Sequence, residues 1–226
     1  MKTEPKKTES HKTEPKDYVV ITCDIMGSRQ IEGFQHKRDQ KLRRVSELHV
    51  GSKLILSEYA ITAWDEFEAI LSKPVHLPAV ILDLRRQFHP LELWIGIGIG
   101  KVTGPYRKPV NKFAGGEAFE RAREAVNSLK AKPSKIGVLT SFVSGIEMFD
   151  LIANTVYHLH DTLLRSVSTK QWETINAQIT ANRQDLTAKR LRLNESTVSR
   201  NLRRGFWWQI KETQQTMERV IGSYFA

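Results

Sequence analysis

Three carboxylates stand where the chain changes direction. Asp24 follows the apolar run 18–23, and Asp65-Glu66 fall between two further apolar runs. Clustered carboxylates are hard oxygen ligands, suited to Mg²⁺ held jointly with a substrate's phosphates. That chemistry requires a fold that joins the two segments. The plainer reading is that Asp24 turns the chain and Asp65 fills a hairpin turn. A second group lies toward the C terminus. Residues 183–204 hold seven Lys and Arg against Asp185 and Glu195, an excess of +5 in a chain of net charge +10. Such clustering is the electrostatic footprint of a nucleic-acid contact, although a solvated helical face produces the same pattern.

The elements that must position these groups follow from periodicity. Tyr-Val-Val-Ile-Thr-Cys (18–23) reads as a buried strand. Ile31, Phe34, Leu42, Val45 and Leu48 then mark one face of a helix. Residues 54–63 and 67–71 read as two strands joined by a tight hairpin at Trp64-Asp65-Glu66. Residues 75–88 predict a helix, and Leu91 to Ile99 a strand with glycine at alternate positions, which admit a second backbone or a ligand. A helix over Ala118–Leu129 and a strand over Lys135–Ser141 complete the series. The order βαββαβ predicts an α+β fold of the ferredoxin-like, split-βαβ type, with an antiparallel sheet and an added helix and strand. Every later pattern is helical, so the expected organisation is a tail over 1–17, a sheet domain over 18–142 and a helical domain over 143–226.

Composition narrows the class. A single cysteine, Cys23, excludes a disulfide framework and a Cys-rich zinc site, and its place in a strand predicts a buried apolar role. His158 and His160 diverge on a helix and read as structural. The tail repeats Lys-Thr-Glu-Pro-Lys at 2–6 and 12–16 and cannot bury enough surface to fold. With no signal-like segment and no apolar run of about 18 residues, a cytoplasmic protein with no membrane partner is expected. Gly100-Lys101 is no phosphate loop: the required glycine and hydroxyl are Ile95 and Val102.

Asp24-Ile-Met-Gly-Ser-Arg29, the Asp65-Glu66-Phe67 hairpin, Ile95-Gly-Ile-Gly-Ile-Gly100 and the segment from Gly116 to Glu124 together resemble the SatD family of bacterial proteins. That family is in turn similar to the palm domains of GGDEF diguanylate cyclases and class III nucleotide cyclases. The resemblance implies a palm fold with a metal–nucleotide site, Mg²⁺ on Asp24, Asp65 and Glu66. Candidate nucleotide contacts are Trp64 and Gly98, with Lys101, Arg121 and Arg123 as generic phosphate contacts on charge alone, for which surface solvation is the plainer reading. The related cyclases carry glycine before the acidic pair, where this chain has Ala63-Trp64. An indole at that tip either fills the space of a base or phosphate or stacks on a base.

Residues 185–191 and 195–202 resemble a repressor- or sigma-factor-type helix-turn-helix, spanning about 184–204, with Arg192 in place of the usual turn glycine. Asn194 suits the N-cap of its second helix, and Ala188, Leu191, Leu193, Val198 and Leu202 suit its small core. Glu195, Ser196, Thr197, Ser199 and Arg200 are then placed for base edges, and Arg203 and Arg204 for phosphates. Trp207-Trp208 and the last helix are expected to pack back on the earlier ones. Two functions are expected from these features. One is a nucleotide-responsive, dimeric DNA-binding regulator of transcription. The other is an Mg²⁺-dependent nucleotidyl cyclase or transferase with a helical adaptor, made degenerate by Trp64.

Overall fold

The computed structural model describes residues 17–104, 114–131 and 137–225. Residues 1–16 of the expected tail over 1–17, the basic loop residues Arg107, Lys108 and Lys112, and Lys135 lie outside them. Five strands form one sheet: β1 (Tyr18–Ile25), β2 (Ala60–Ile61), β3 (Glu66–Ile70), β4 (Leu93–Gly100) and β5 (Thr140–Val143). The sheet order is β2-β3-β1-β4-β5. Each neighbouring pair among the first four is antiparallel, as a βαββαβ unit requires, and β5 joins β4 in parallel.

Period-two alternation along β1 divides the sheet into two faces. Val19, Ile21, Cys23 and Ile25 enter the main core. There they meet α1 (Phe34–Gly51) and α2 (Leu77–Phe88), and Phe67 stacks on Phe88 at 5.2 Å. Cys23 is fully buried, as its position in the strand suggests, and burial pushes its thiol pKa up. Val20 and Ile70 face the other way, onto Ala118 and Ala122 of α3 (Glu117–Ala131).

The alternate glycines of β4 belong to that second face. A Cβ on Gly98 would stand 2.0 Å from the Ala118 carbonyl oxygen, and one on Gly96 would stand 2.3 Å from that of Ala122. The visitor that the glycines admit is therefore the backbone of α3. Gly98, a candidate nucleotide contact, is closed off by that helix.

The predicted strand over 54–63 shortens to two residues. The Tyr59 amide donates to Ser46 Oγ at 3.2 Å, which draws the chain toward α1 instead of along β3. On α1 the apolar stripe also needs adjustment: Leu48 is exposed, while His49 is buried between Tyr59 Oη and Asp83, at 3.0 and 3.3 Å.

The remaining elements are helices: α4 (Glu147–Arg165), α5 (Thr169–Ala181), α6 (Gln184–Leu191), α7 (Glu195–Arg204) and α8 (Trp207–Phe225). Phe149, Ala153 and Tyr157 of α4 and Met217 and Ile221 of α8 join the sheet's main core. A second core gathers Trp172 and Ile175 of α5, Ala188 of α6, Val198 and Leu202 of α7, and Ile210 of α8. Trp207 packs on it half-buried, whereas Trp208 is largely exposed. Among the described residues, no helix is long and apolar enough to cross a membrane.

Gly98→Ala should destabilise the fold by about 1–3 kcal/mol or prevent folding, because the added methyl meets helix backbone that cannot rotate away. Urea unfolding measures this, with Gly51→Ala, whose Cβ would meet nothing within 4 Å, as the control.

Candidate functional site

The antiparallel register places Asp24 directly opposite Glu66, and Thr22 opposite Glu68. These acids lie on the α3 face, so Asp24, Glu66 and Glu68 form one buried patch at the end of the sheet. Glu68 was not singled out in the sequence, although its two-residue spacing from Glu66 is the signal that puts both on one face. Helix α3 supplies the counter-charges. Lys130 Nζ donates to Asp24 Oδ2, and the Arg123 guanidinium lies 3.3 Å from Glu66 and 3.9 Å from Glu68. Glu66 also accepts from Thr62 Oγ1 at 2.8 Å. Burial raises the pKa of Asp24 despite the opposing Lys130, and burial pushes Glu68 up to about 6.

Asp65 occupies different surroundings. It is half-buried at the hairpin tip, its carbonyl accepts from the Ile25 amide, and Oδ2 accepts from Ser28 Oγ at 2.5 Å. The hairpin is thereby tied to the β1–α1 loop, and between them lies an open cleft of about 670 Å³. Ser28, Arg29, His36, Phe34, Trp64 and Asp65 are among its lining residues. The Trp64 ring stacks on Phe34 with centroids 5.7 Å apart, and the Arg38 guanidinium holds the Trp64 carbonyl. At 52 % exposure the indole still has surface to offer a ligand.

The predicted site residues thus separate. Asp24, Glu66 and Arg123 share the α3 face; Asp65 and Trp64 share the cleft. Lys101 and Arg121 do not join them. The β1–β4 register pairs Tyr18 with Gly100 and Asp24 with Trp94, so Lys101 follows the far end of the sheet. At six residues and about 3.3 Å per residue, that is roughly 20 Å away. There Lys101 pairs with Asp17 at 2.7 Å, and Arg121 ties Glu117 to the Ile99 carbonyl. Among the described residues, no group of three or more His, Cys, Asp or Glu is gathered as a metal cage. Mg²⁺ needs less, since one or two carboxylates with phosphates and water suffice.

In the C-terminal part, α6 and α7 meet across residues 192–194. Arg192 adopts the left-handed conformation, φ 54° and ψ 44°, that glycine usually supplies. Asn194 stands at the N-cap of α7, yet its side chain makes no cap bond; its carbonyl accepts from Thr197 and Val198. Val198 and Leu202 are buried against α5 and α6, while Leu193 is exposed and Leu191 half-buried. Asn201 anchors α7 further by donating to Thr174 Oγ1 at 3.1 Å. The outward face of α7 carries Glu195, Ser196, Ser199, Arg200, Arg203 and Arg204, all exposed, with Thr197 half-buried. Neither Arg200, Arg203 nor Arg204 forms an ion pair among the described residues. His160, read as structural, is buried, and burial pushes its pKa down to about 4.

The sequence profile of the SatD family matches residues 18–215, and the chain belongs to that family. No curated protein matches the chain.

The Glu68 shift fixes a sign for pH dependence. Its carboxyl takes up a proton more readily in the fold than at its ordinary value of 4.5. Its contribution is full below pH 4.5 and is lost as pH rises through about 6. Glu68→Gln should therefore be more stable than the parent at pH 7, on the order of 1 kcal/mol. The two denaturation midpoints should converge below about pH 4.5.

Proposed function

We propose that this SatD-family protein is a DNA-binding transcriptional regulator whose sheet domain takes up a nucleotide with Mg²⁺. The observation that carries the reading is the face of α7. A helix seated by Val198, Leu202 and Asn201 presents three arginines that form no ion pair among the described residues and a row of short polar side chains. A recognition helix has that division, with apolar anchors behind and donors in front. Arg200 and the residues from Glu195 to Ser199 would read base edges, and Arg203 and Arg204 would hold phosphates. A module of this size buries little surface, so two copies over adjacent half-sites are the economical arrangement.

For the nucleotide, the cleft between the hairpin and the β1–α1 loop is the receptive place. Trp64 would stack on the base. Asp65, which lines the cleft, would hold Mg²⁺ with the phosphates, and Arg29 would add charge. Sensing is favoured over turnover, because Lys130 and Arg123 already occupy Asp24 and Glu66. A metal recruiting those carboxylates must first displace a cation.

Gel-shift titration of the full chain at several salt concentrations tests the DNA reading. Arg203→Ala and Arg204→Ala should each reduce the slope of log K against log salt by about 1. Arg200→Ala should cost about 1–3 kcal/mol and relax sequence preference. Absence of salt-dependent binding would overturn the reading. Calorimetry with Mg²⁺ and ATP or GTP tests the cleft separately: Trp64→Ala should remove about 1–3 kcal/mol of binding, and no cyclic product should form.

A further inference from the structure

A second cavity, of about 190 Å³, lies where α2 and the start of β4 meet α4 and α5. Arg85, Leu91 and Leu139 line it from the sheet side, and Leu164, Val167 and Trp172 from the helical side. It shares no residue with the cleft at Trp64. Its volume is close to that of a benzene-sized cavity, enough for one ring and a small substituent.

The polar groups around it define a chemistry. Arg85 is buried, with one guanidinium nitrogen donating to the Leu93 carbonyl and another to Thr140 Oγ1 at 2.9 Å, the latter also 3.3 Å from Asp161. Its Nε has no hydrogen-bond partner among the described residues. A buried donor without an acceptor is costly, and the chain leaves this one unmet. Arg165 and Glu92 also line the cavity and form a two-pronged pair at 2.7 and 3.3 Å, partly open to solvent. A guanidinium carries five N–H donors, more than one carboxylate takes up, so Arg165 can offer the remainder to a ligand carboxylate. His89 lies with its ring 6.0 Å from that of Trp172, and burial lowers its pKa. The indole and the leucine and valine walls favour a flat apolar body.

The geometry points to a binding site for a compact single-ring carboxylate, its ring against Trp172 and its carboxylate on the Arg165 and Arg85 side. Its consequence reaches α7. Trp172, Leu164 and Val167 belong to the same core that seats Val198 and Leu202, so an occupant presses on the packing that orients that helix. The cavity itself stands on its own geometry; only this coupling rests on the DNA reading.

Calorimetry of the full chain with benzoate, without DNA, is the direct test. Benzoate should bind with 1:1 stoichiometry, and benzyl alcohol, which keeps the ring but lacks the charge, about tenfold or more weakly. Val167→Phe, which fills the cavity, should weaken benzoate at least about tenfold. Should that variant fail to fold, Arg165→Gln at its exposed position should still weaken benzoate while leaving benzyl alcohol unchanged. No heat up to about 10 mM benzoate overturns the site, as does binding indifferent to the cavity variants. Equal affinity for the alcohol overturns the assigned ligand class. If benzoate binds but gel shifts show no DNA binding, the cavity stands and the regulatory reading falls.

Discussion

The approach of α3 to the sheet is the contact on which the rest of the sheet domain depends. Gly96 and Gly98 remove the side chains that would hold the helix away, and Ala118 and Ala122 present its smallest surface in return. At that separation the longer side chains of α3 reach the sheet end. Lys130 meets Asp24, and Arg123 meets Glu66 and Glu68. A helix held further out by side chains on β4 could not deliver those cations. The three acids would then be a buried cluster of like charge, and burial already pushes Asp24 and Glu68 toward protonation. Helix packing and the electrostatics of the acidic patch are one constraint.

This explains which features of the sequence were legible. The strand order followed from the βαββαβ pattern because apolar periodicity reports which faces are buried, and both faces of β1 are. The pairing of Asp24 with Glu66 followed from placing two strand ends side by side, whereas Asp65, at the hairpin tip, turns into the cleft instead. The glycine alternation of β4 signalled close approach correctly but could not name the visitor, since helix backbone and ligand make the same demand of a strand. Lys101 and Arg121 were grouped with the acids on charge alone. Charge carries no information about which end of a strand a residue occupies, and the register puts Lys101 at the other end. Glu68, His49 and Arg85 were missed for the opposite reason: polar residues become buried only through partners distant in sequence, such as Arg123, Tyr59 and Asp161.

The C-terminal part shows the same division. Its helices were readable from periodicity, and the left-handed turn at Arg192 from the position of a missing glycine. The change from strands to helices near residue 143 was readable too, but the cores do not part there. Helix α4 and the distal half of α8 complete the sheet's core, and Leu82 of α2 enters the second core. Composition records the type of element, whereas core membership depends on how the last helix returns.

That return has a mechanical meaning. Ile210 near the start of α8 lies in the core that seats α7, and Met217 and Ile221, two and three turns on, lie in the core beneath the sheet. Helix α2 makes the complementary link, with Leu82 in one core and Ile81 and Leu84 in the other. Helix α4 also crosses, with Tyr157 in the sheet's core and Leu164 in the second. Three helices therefore join the cores, and close-packed interiors transmit displacement poorly absorbed elsewhere. Any ligand that shifts α2 must shift Leu82 against Trp172 and Ile175, the residues that position Val198 and Leu202. The exposed arginines of α7 are fixed to the molecule through those two anchors and Asn201, so their orientation is set by the packing behind them. A change at the sheet can reach the outward face of α7 only by altering that packing.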